Sequence, residues 1–285
     1  MTGAKLLPQG RVERILVPTD LSLCANFALE RAITVARLYG ASIWLLHVVT
    51  PSSHGGMAAV VPGALCAMRA AADDAIENLA CTVRKRQVNC VGMVREGALD
   101  DQVRAIVAEF GIDLLVMATK AGTGLDGYAL GSTAERILRK TFIPVITVGT
   151  CRTLRSWPDT GPAHILYATD FSNQSFRSLA YARSVRQRFS ARLTLTHVVP
   201  FGARPARVRS ALDQLQALSV DHEEIEVLHG AVGPAVCNAI AKMGVDLVAV
   251  GVEKHTALGE YLFGHTLLEI LAGSQCPVLT IRQWK

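Results

Sequence analysis

The sequence has no apolar run approaching the roughly 18 residues needed to cross a bilayer, although half of its 285 residues are hydrophobic. Its opening stretch, MTGAKLLPQGRVERILVPTD, lacks the apolar core and small-residue cleavage site of a secretion signal. A soluble, cytoplasmic protein is expected. There is no block of like charge. The net charge of +5 is dispersed, too mild for a nucleic-acid surface but compatible with an anionic small ligand. The seven cysteines include no Cys-x-x-Cys pair, which argues against a zinc site or a disulfide frame. Cys24, Cys90 and Cys237 read as small buried hydrophobes in a reducing compartment. No Gly-x-Ser-x-Gly elbow marks a hydrolase, and no Gly-Lys-Ser/Thr ending marks a Walker A loop.

What is present is a duplication. RILVPTDLS (14–22) recurs as HILYATDFS (164–172), and IWLLHVV (43–49) recurs as LTLTHVV (193–199), both at an offset of 150 residues. EFGIDLLVMA (109–118) recurs as KMGVDLVAVG (242–251), and PVITV (144–148) as PVLTI (277–281), both at an offset of 133. Two constant offsets over four segments indicate one duplication, the second copy being 17 residues shorter in its second crossover. The expected organisation is a first domain over 1–149, a linker over 150–162 and a second domain over 163–285. The linker, with Arg152 and Arg155 ahead of Trp157 and Pro158, reads as a solvated basic stretch.

Within each copy, short apolar runs alternate with helical patterns. Ile15–Pro18, Ile43–Val49, Leu114–Ala118 and Val145–Val148 suit strands buried on both faces of a parallel sheet. CANFALERAITVARLYG and LDDQVRAIVAEFG carry apolar residues at helical spacing, and each ends in a capping glycine. The pattern predicts an α/β fold: two doubly wound domains with right-handed crossovers. Ligands of such sheets bind beyond the carboxyl ends of the strands. Asp20 and Asp170 stand there after the first strands, and His47 and His197 mark the ends of the second strands and read as structural. The glycine-rich stretch ATKAGTGLDGYALGSTAERIL (118–138) runs into a helix predicted to begin near Ser132. Its backbone suits a phosphate, while STAE also reads as a capping box in which Ser132 caps its own helix. His229, His255, His265 and Asp170 share the expected carboxyl edge of the second copy, but no close ligand pair anchors a metal.

The aspartates, LHVV, GIDLLVM and the glycine loop leading to GSTAERIL and PV together resemble the universal stress protein family, twice over. The resemblance implies flavodoxin-like or Rossmann-like domains, each with a five-stranded parallel sheet flanked by helices. It also implies that the last strands join the two copies as a pseudo-dimer, alone or within a larger homodimer. Many family members bind ATP through a motif of Gly, two residues, Gly, nine residues and Gly-Ser or Gly-Thr. In the first copy, the matching positions are Ala118, Ala121, Gly131 and Ser132, flanked by Met117 and Thr133. In the second they are Gly251, Lys254, Gly264 and His265. Pro18, Asp20 and Val48, with Asp170 and Val198, match the nucleoside end, the valines through their backbone. The resemblance therefore implies a regulatory stress protein that binds ATP, with or without Mg, better in the first copy and without turnover. A scaffold that has lost ATP, or that holds another small ligand or a metal, is the alternative. No nucleic acid or membrane partner is expected. Thr266 and Glu269 are expected to re-form a capping box in the second copy.

Overall fold

The structure, a computed structural model, describes residues 11–50, 64–119, 130–149, 157–220, 222–252 and 265–282. In the first half, β1 (Arg14–Pro18), α1 (Leu23–Tyr39), β2 (Ser42–Val49), α2 (Ala64–Lys85) and β3 (Cys90–Glu96) are followed by α3 (Leu99–Phe110), β4 (Leu114–Ala118), α4 (Ser132–Lys140) and β5 (Val145–Val148). The second half repeats the order with β6 (His164–Ala168), α5 (Asn173–Phe189), β7 (Arg192–Val199), α6 (Pro205–Leu218) and β8 (Glu223–His229). It closes with α7 (Val232–Met243), β9 (Leu247–Val252), α8 (His265–Gly273) and β10 (Val278–Arg282). The shorter second crossover of the second copy is visible as α6, 14 residues against 22 in α2.

All ten described strands form one sheet in the order β3-β2-β1-β4-β5-β10-β9-β6-β7-β8. Pairing is parallel within each half. At the centre β5 and β10 pair antiparallel, Ile146 facing Leu279. The expected union of the two copies through PVITV and PVLTI is therefore the middle of the sheet.

Strand alternation sends Ile15 and Val17 to one face and Leu16 to the other, where they join two separate apolar layers. One layer lies under α1, α2, α5 and α6, and the other under α3, α4, α7 and α8. Each layer runs without interruption across both halves. At roughly 1.5–3 kcal/mol for each large aliphatic side chain withdrawn from water, this shared burial ties the halves into one cooperative body. No described helix is long and apolar enough to cross a membrane.

Helix ends follow the sequence signals closely. Ser22 and Ser172 cap α1 and α5 by accepting from the N–H groups of Ala25 and Ser175. Gly40, Gly111 and Gly244 close α1, α3 and α7 with φ of 69°, 60° and 65°, the left-handed region that glycine enters without steric cost.

Two expectations are corrected here. Arg152 and Arg155 lie outside the described residues, and Pro158, Asp159 and Thr160 are exposed, but the end of the linker is not solvated throughout. Trp157 is buried, its Nε1 donates to the Asp246 carbonyl at 3.0 Å, and its ring lies 6.3 Å from that of Phe189. The Arg31 guanidinium of the first half lies 5.2 Å from the Trp157 ring, so a linker residue staples α1 to α5. An aromatic side chain beside a proline carries no local signal of such long-range burial. Cys24, buried as expected, is nevertheless disulfide-bonded, whereas Cys66, Cys81, Cys90, Cys237 and Cys276 are free. Sequence spacing alone does not reveal such a bridge.

Candidate functional site

The winding reverses between β1 and β4 in the first half and between β6 and β9 in the second, where an open sheet leaves a crevice beyond its carboxyl ends. The turns entering the two crevices are copies of each other. Leu21 and Phe171 take left-handed φ of 64° and 62°, and their N–H groups donate to Thr19 Oγ1 and Thr169 Oγ1, each at 3.0 Å. Asp20 and Asp170 are exposed on the rim. One oxygen of each accepts from a serine N–H, Ser22 at 3.0 Å and Ser172 at 2.9 Å, which holds the carboxylate over its own turn. His47 and His197 each use Nδ1 to bond the carbonyl of Thr19 and Thr169 at 2.9 Å. A carbonyl only accepts, so Nδ1 carries the proton. Both histidines hold strand ends together, as the sequence suggested.

In the first half Pro18, Met117 and Ala118 end β1 and β4, and Val48 lies in β2 one residue from its end. Gly131, Ser132 and Thr133 begin α4; Ala121 lies outside the described residues. The capping box is corrected. Gly131 occupies the N-cap, and Ser132 is already the first helical residue. Glu135 does not reach back to the cap but pairs with Arg139 one turn on, at 2.6 Å. Ser132 is exposed, and the first amides of α4 have no acceptor within the helix. The Gly131 N–H, by contrast, donates to the Thr119 carbonyl at 3.0 Å, and a Cβ at this position would sit 3.1 Å from that oxygen. This glycine serves the close approach of two backbones.

In the second half the crevice is a cavity of about 270 Å³. Asp170, His197, Val198, Val232, Gly251 and Thr266 line it, from the turn after β6 and from β7, α7, β9 and α8. The sequence favours the first copy as the nucleotide site; residues 120–129 of its crevice loop lie outside the described residues. Lys254 and Gly264 lie outside the described residues. His265 and Thr266 are exposed at the start of α8. The second capping box is corrected as well: Thr266 stands inside the helix, and Glu269 pairs with His265 Nδ1 at 3.2 Å.

Gly251 has a different role from the one its motif position suggests. A Cβ there would meet Ser178 Oγ at 2.6 Å and Ser178 Cβ at 3.0 Å, so the glycine admits α5 against β9. In the first half the matching residues are Ala118 and Ala28. Replacing the serine by alanine opens room for the extra methyl, and the exchange at Ala118 is a packing adjustment between strand and helix.

Sequence reasoning overlooked the polar wall of this cavity. Thr169, Gln174, Ser175 and Thr196 line it and are buried. Their first-half counterparts are Thr19, Cys24, Ala25 and Leu46. Comparing the two copies position by position along the first helical turn would have exposed the contrast. Among the described residues no group of three or more His, Cys, Asp or Glu is placed to hold a metal.

A model of the universal stress protein family matches residues 11–149 and 202–282. A universal stress protein of Methanocaldococcus jannaschii is 27% identical over 138 residues, covering 48% of this chain and 81% of that protein. One of Thermus aquaticus is 28% identical over 133 residues, covering 41% of this chain and 97% of its own. The crystal structure of a universal stress protein from Archaeoglobus fulgidus superposes with a TM-score of 0.72 at 18% identity, covering 95% of this chain and 98% of that one. The match to each of the first two spans about one half of this chain, and the match to the third spans both.

Proposed function

This chain belongs to the universal stress protein family, and from that premise we propose that it is a regulatory protein that binds an adenine nucleotide without turning it over. The observation that carries the reading is the second-half cavity. It occupies the switch point between β6 and β9, combines apolar side chains with a wall of convergent polar groups, and has a carboxylate on its rim. Its volume, about 270 Å³, suits a nucleoside, with phosphates extending beyond it. Asp170 supplies an acceptor for ribose or base, and Val198 lines the wall, at the positions that match the nucleoside end of ATP-binding relatives. The first half assembles the same turn around Asp20, with the opening amides of α4 toward a phosphate, and is the second candidate site. The absence of turnover is part of the proposal: among the described residues the aspartates act as rim acceptors, and each histidine donates Nδ1–H to a backbone carbonyl.

The experiment is a thermal titration with ATP and Mg. A ligand that binds only the folded state at about 100 times its Kd adds roughly 2.7 kcal/mol, a rise in Tm of about 5 °C or more. Asp170→Ala is expected to abolish most of the rise, and Asp20→Ala less of it. No rise at millimolar ATP refutes the proposal. Steady phosphate release that a pocket substitution abolishes overturns the absence of turnover.

A further inference from the structure

We propose that Thr169 is a specificity-determining hydrogen-bond donor of the second-half cavity, and that Ser175 is the residue that positions it. The inference rests on the nucleotide reading above and deepens it.

Thr169 is 7% exposed and lines the cavity. Nearly every polar group it owns is committed. Its N–H donates to the Thr196 carbonyl at 2.9 Å, and its own carbonyl accepts from His197 Nδ1 at 2.9 Å. Its Oγ1 accepts twice, from the Phe171 N–H at 3.0 Å and from the Ser175 hydroxyl at 2.7 Å. A hydroxyl has two lone pairs and one proton. With both lone pairs engaged, only the proton remains.

The Ser175 hydroxyl has two oxygens within reach, Thr169 Oγ1 at 2.7 Å and the Tyr167 phenol at 3.3 Å. The phenol spends its own proton on the Ser175 carbonyl. The shorter contact takes the Ser175 proton, so Ser175 donates to Thr169. Among the described residues no acceptor takes the Thr169 proton, and a buried donor left without an acceptor is costly. The cavity is the side from which an acceptor can come.

The first half shows the same turn without this constraint. Thr19 donates to the Leu46 carbonyl at 2.8 Å, accepts from His47 at 2.9 Å, and takes the Leu21 N–H on Oγ1 at 3.0 Å. Ala25 stands where the second half has Ser175, so the Thr19 hydroxyl keeps a lone pair and offers either polarity. In the second half Thr169 offers only a donor, and the next residue, Asp170, offers only acceptors when ionised. Adjacent donor and acceptor select a ligand edge bearing an acceptor beside a donor. In a nucleoside this is a purine ring nitrogen beside an amine, or a ribose oxygen beside a hydroxyl.

The test is calorimetric titration of the full chain, in an Asp20→Ala background, with adenosine, its 1-, 3- and 7-deaza analogues, and 2′- and 3′-deoxyadenosine. With Thr169 in place, one analogue that lacks the contacted acceptor is expected to bind about tenfold more weakly than adenosine. Thr169→Val is expected to bind that analogue and adenosine alike. Because this variant also removes the acceptor of the Phe171 N–H, Ser175→Ala is the companion. It restores a lone pair to Thr169 and should narrow the gap to about threefold or less. Equal binding of all analogues by the parent, or a tenfold gap that survives Thr169→Val, overturns the inference alone. An undiminished gap in Ser175→Ala overturns the positioning role. Absence of adenosine binding by the parent removes the nucleotide reading and this inference together.

Discussion

The Thr147 hydroxyl donates to the carbonyl of Val278, the residue opposite it across the central seam, at 3.1 Å. The contact is reciprocated. Thr280 donates to the carbonyl of Val145, also opposite, at 3.3 Å. Each half thus contributes one buried threonine to the main chain of the other, arranged about the facing pair Ile146 and Leu279. The double variant Thr147→Val and Thr280→Val is expected to lose about 1–2 kcal/mol in urea unfolding, near 1 kcal/mol for each bond. Leu279→Asp places a carboxylate at a position 1% exposed and is expected to cost more than about 3 kcal/mol. It should also split a single unfolding transition into two. A single transition at unchanged midpoint would show that the seam does not couple the halves.

The helix caps offer a sharp contrast. Ser22 accepts from the Ala25 N–H, so Ser22→Ala should cost about 1 kcal/mol. Ser132, with the same local sequence credentials, is exposed inside the first turn of α4, and Ser132→Ala should stay within about 0.5 kcal/mol. Chemical denaturation of the two variants side by side decides the matter; equal losses would restore Ser132 as a cap.

Gly251→Ala drives a methyl into Ser178, and the forced shift should cost about 1–3 kcal/mol. Adding Ser178→Ala re-creates the alanine pair carried by the first half as Ala118 and Ala28. The double variant should recover most of the loss, and its Tm is the measurement. If Gly251→Ala alone leaves Tm untouched, the glycine is not there for helix packing.

His164 carries a pH dependence. Burial, followed by the Arg192 guanidinium 2.8 Å from Nδ1, holds its pKa below the usual value, against the pull of Glu224 and Asp246. Its Nε2 lies 2.8 Å from Thr194 Oγ1. The folded state therefore binds fewer protons than the unfolded chain just below the ordinary histidine range. The sign follows from linkage: this contribution to stability is present above about pH 6.5 and is lost as pH falls through the folded pKa. His164→Gln should flatten the decline of Tm between about pH 7 and pH 5. An identical decline in variant and parent would assign it to other groups.

Much of the fold was legible because duplication doubled every signal. Ile15–Pro18 and its repeat, the glycines at 40, 111 and 244, and the Asp-x-Ser turns each act locally, so their sequence neighbours suffice to read them. The site was less legible for the opposite reason. Ser132 and Glu135 have capping-box spacing, yet the chain enters α4 one residue earlier than the motif assumes, and Glu135 finds Arg139 instead. Gly251 looked like a phosphate glycine, but its constraint comes from Ser178, more than 70 positions earlier in sequence. The wall formed by Thr169 and Ser175 belongs to no motif. It shows in the sequence only when the two copies are compared position by position, where Ser175 stands against Ala25.

The antiparallel seam also changes what controls this protein. Two separate domains meeting edge to edge would obey a bimolecular equilibrium, and their pairing would rise and fall with concentration. Here the partner edge is carried on the same chain, so its effective concentration is constant and dilution leaves the pairing intact. The amount of protein in the cell therefore has no influence on whether the halves meet.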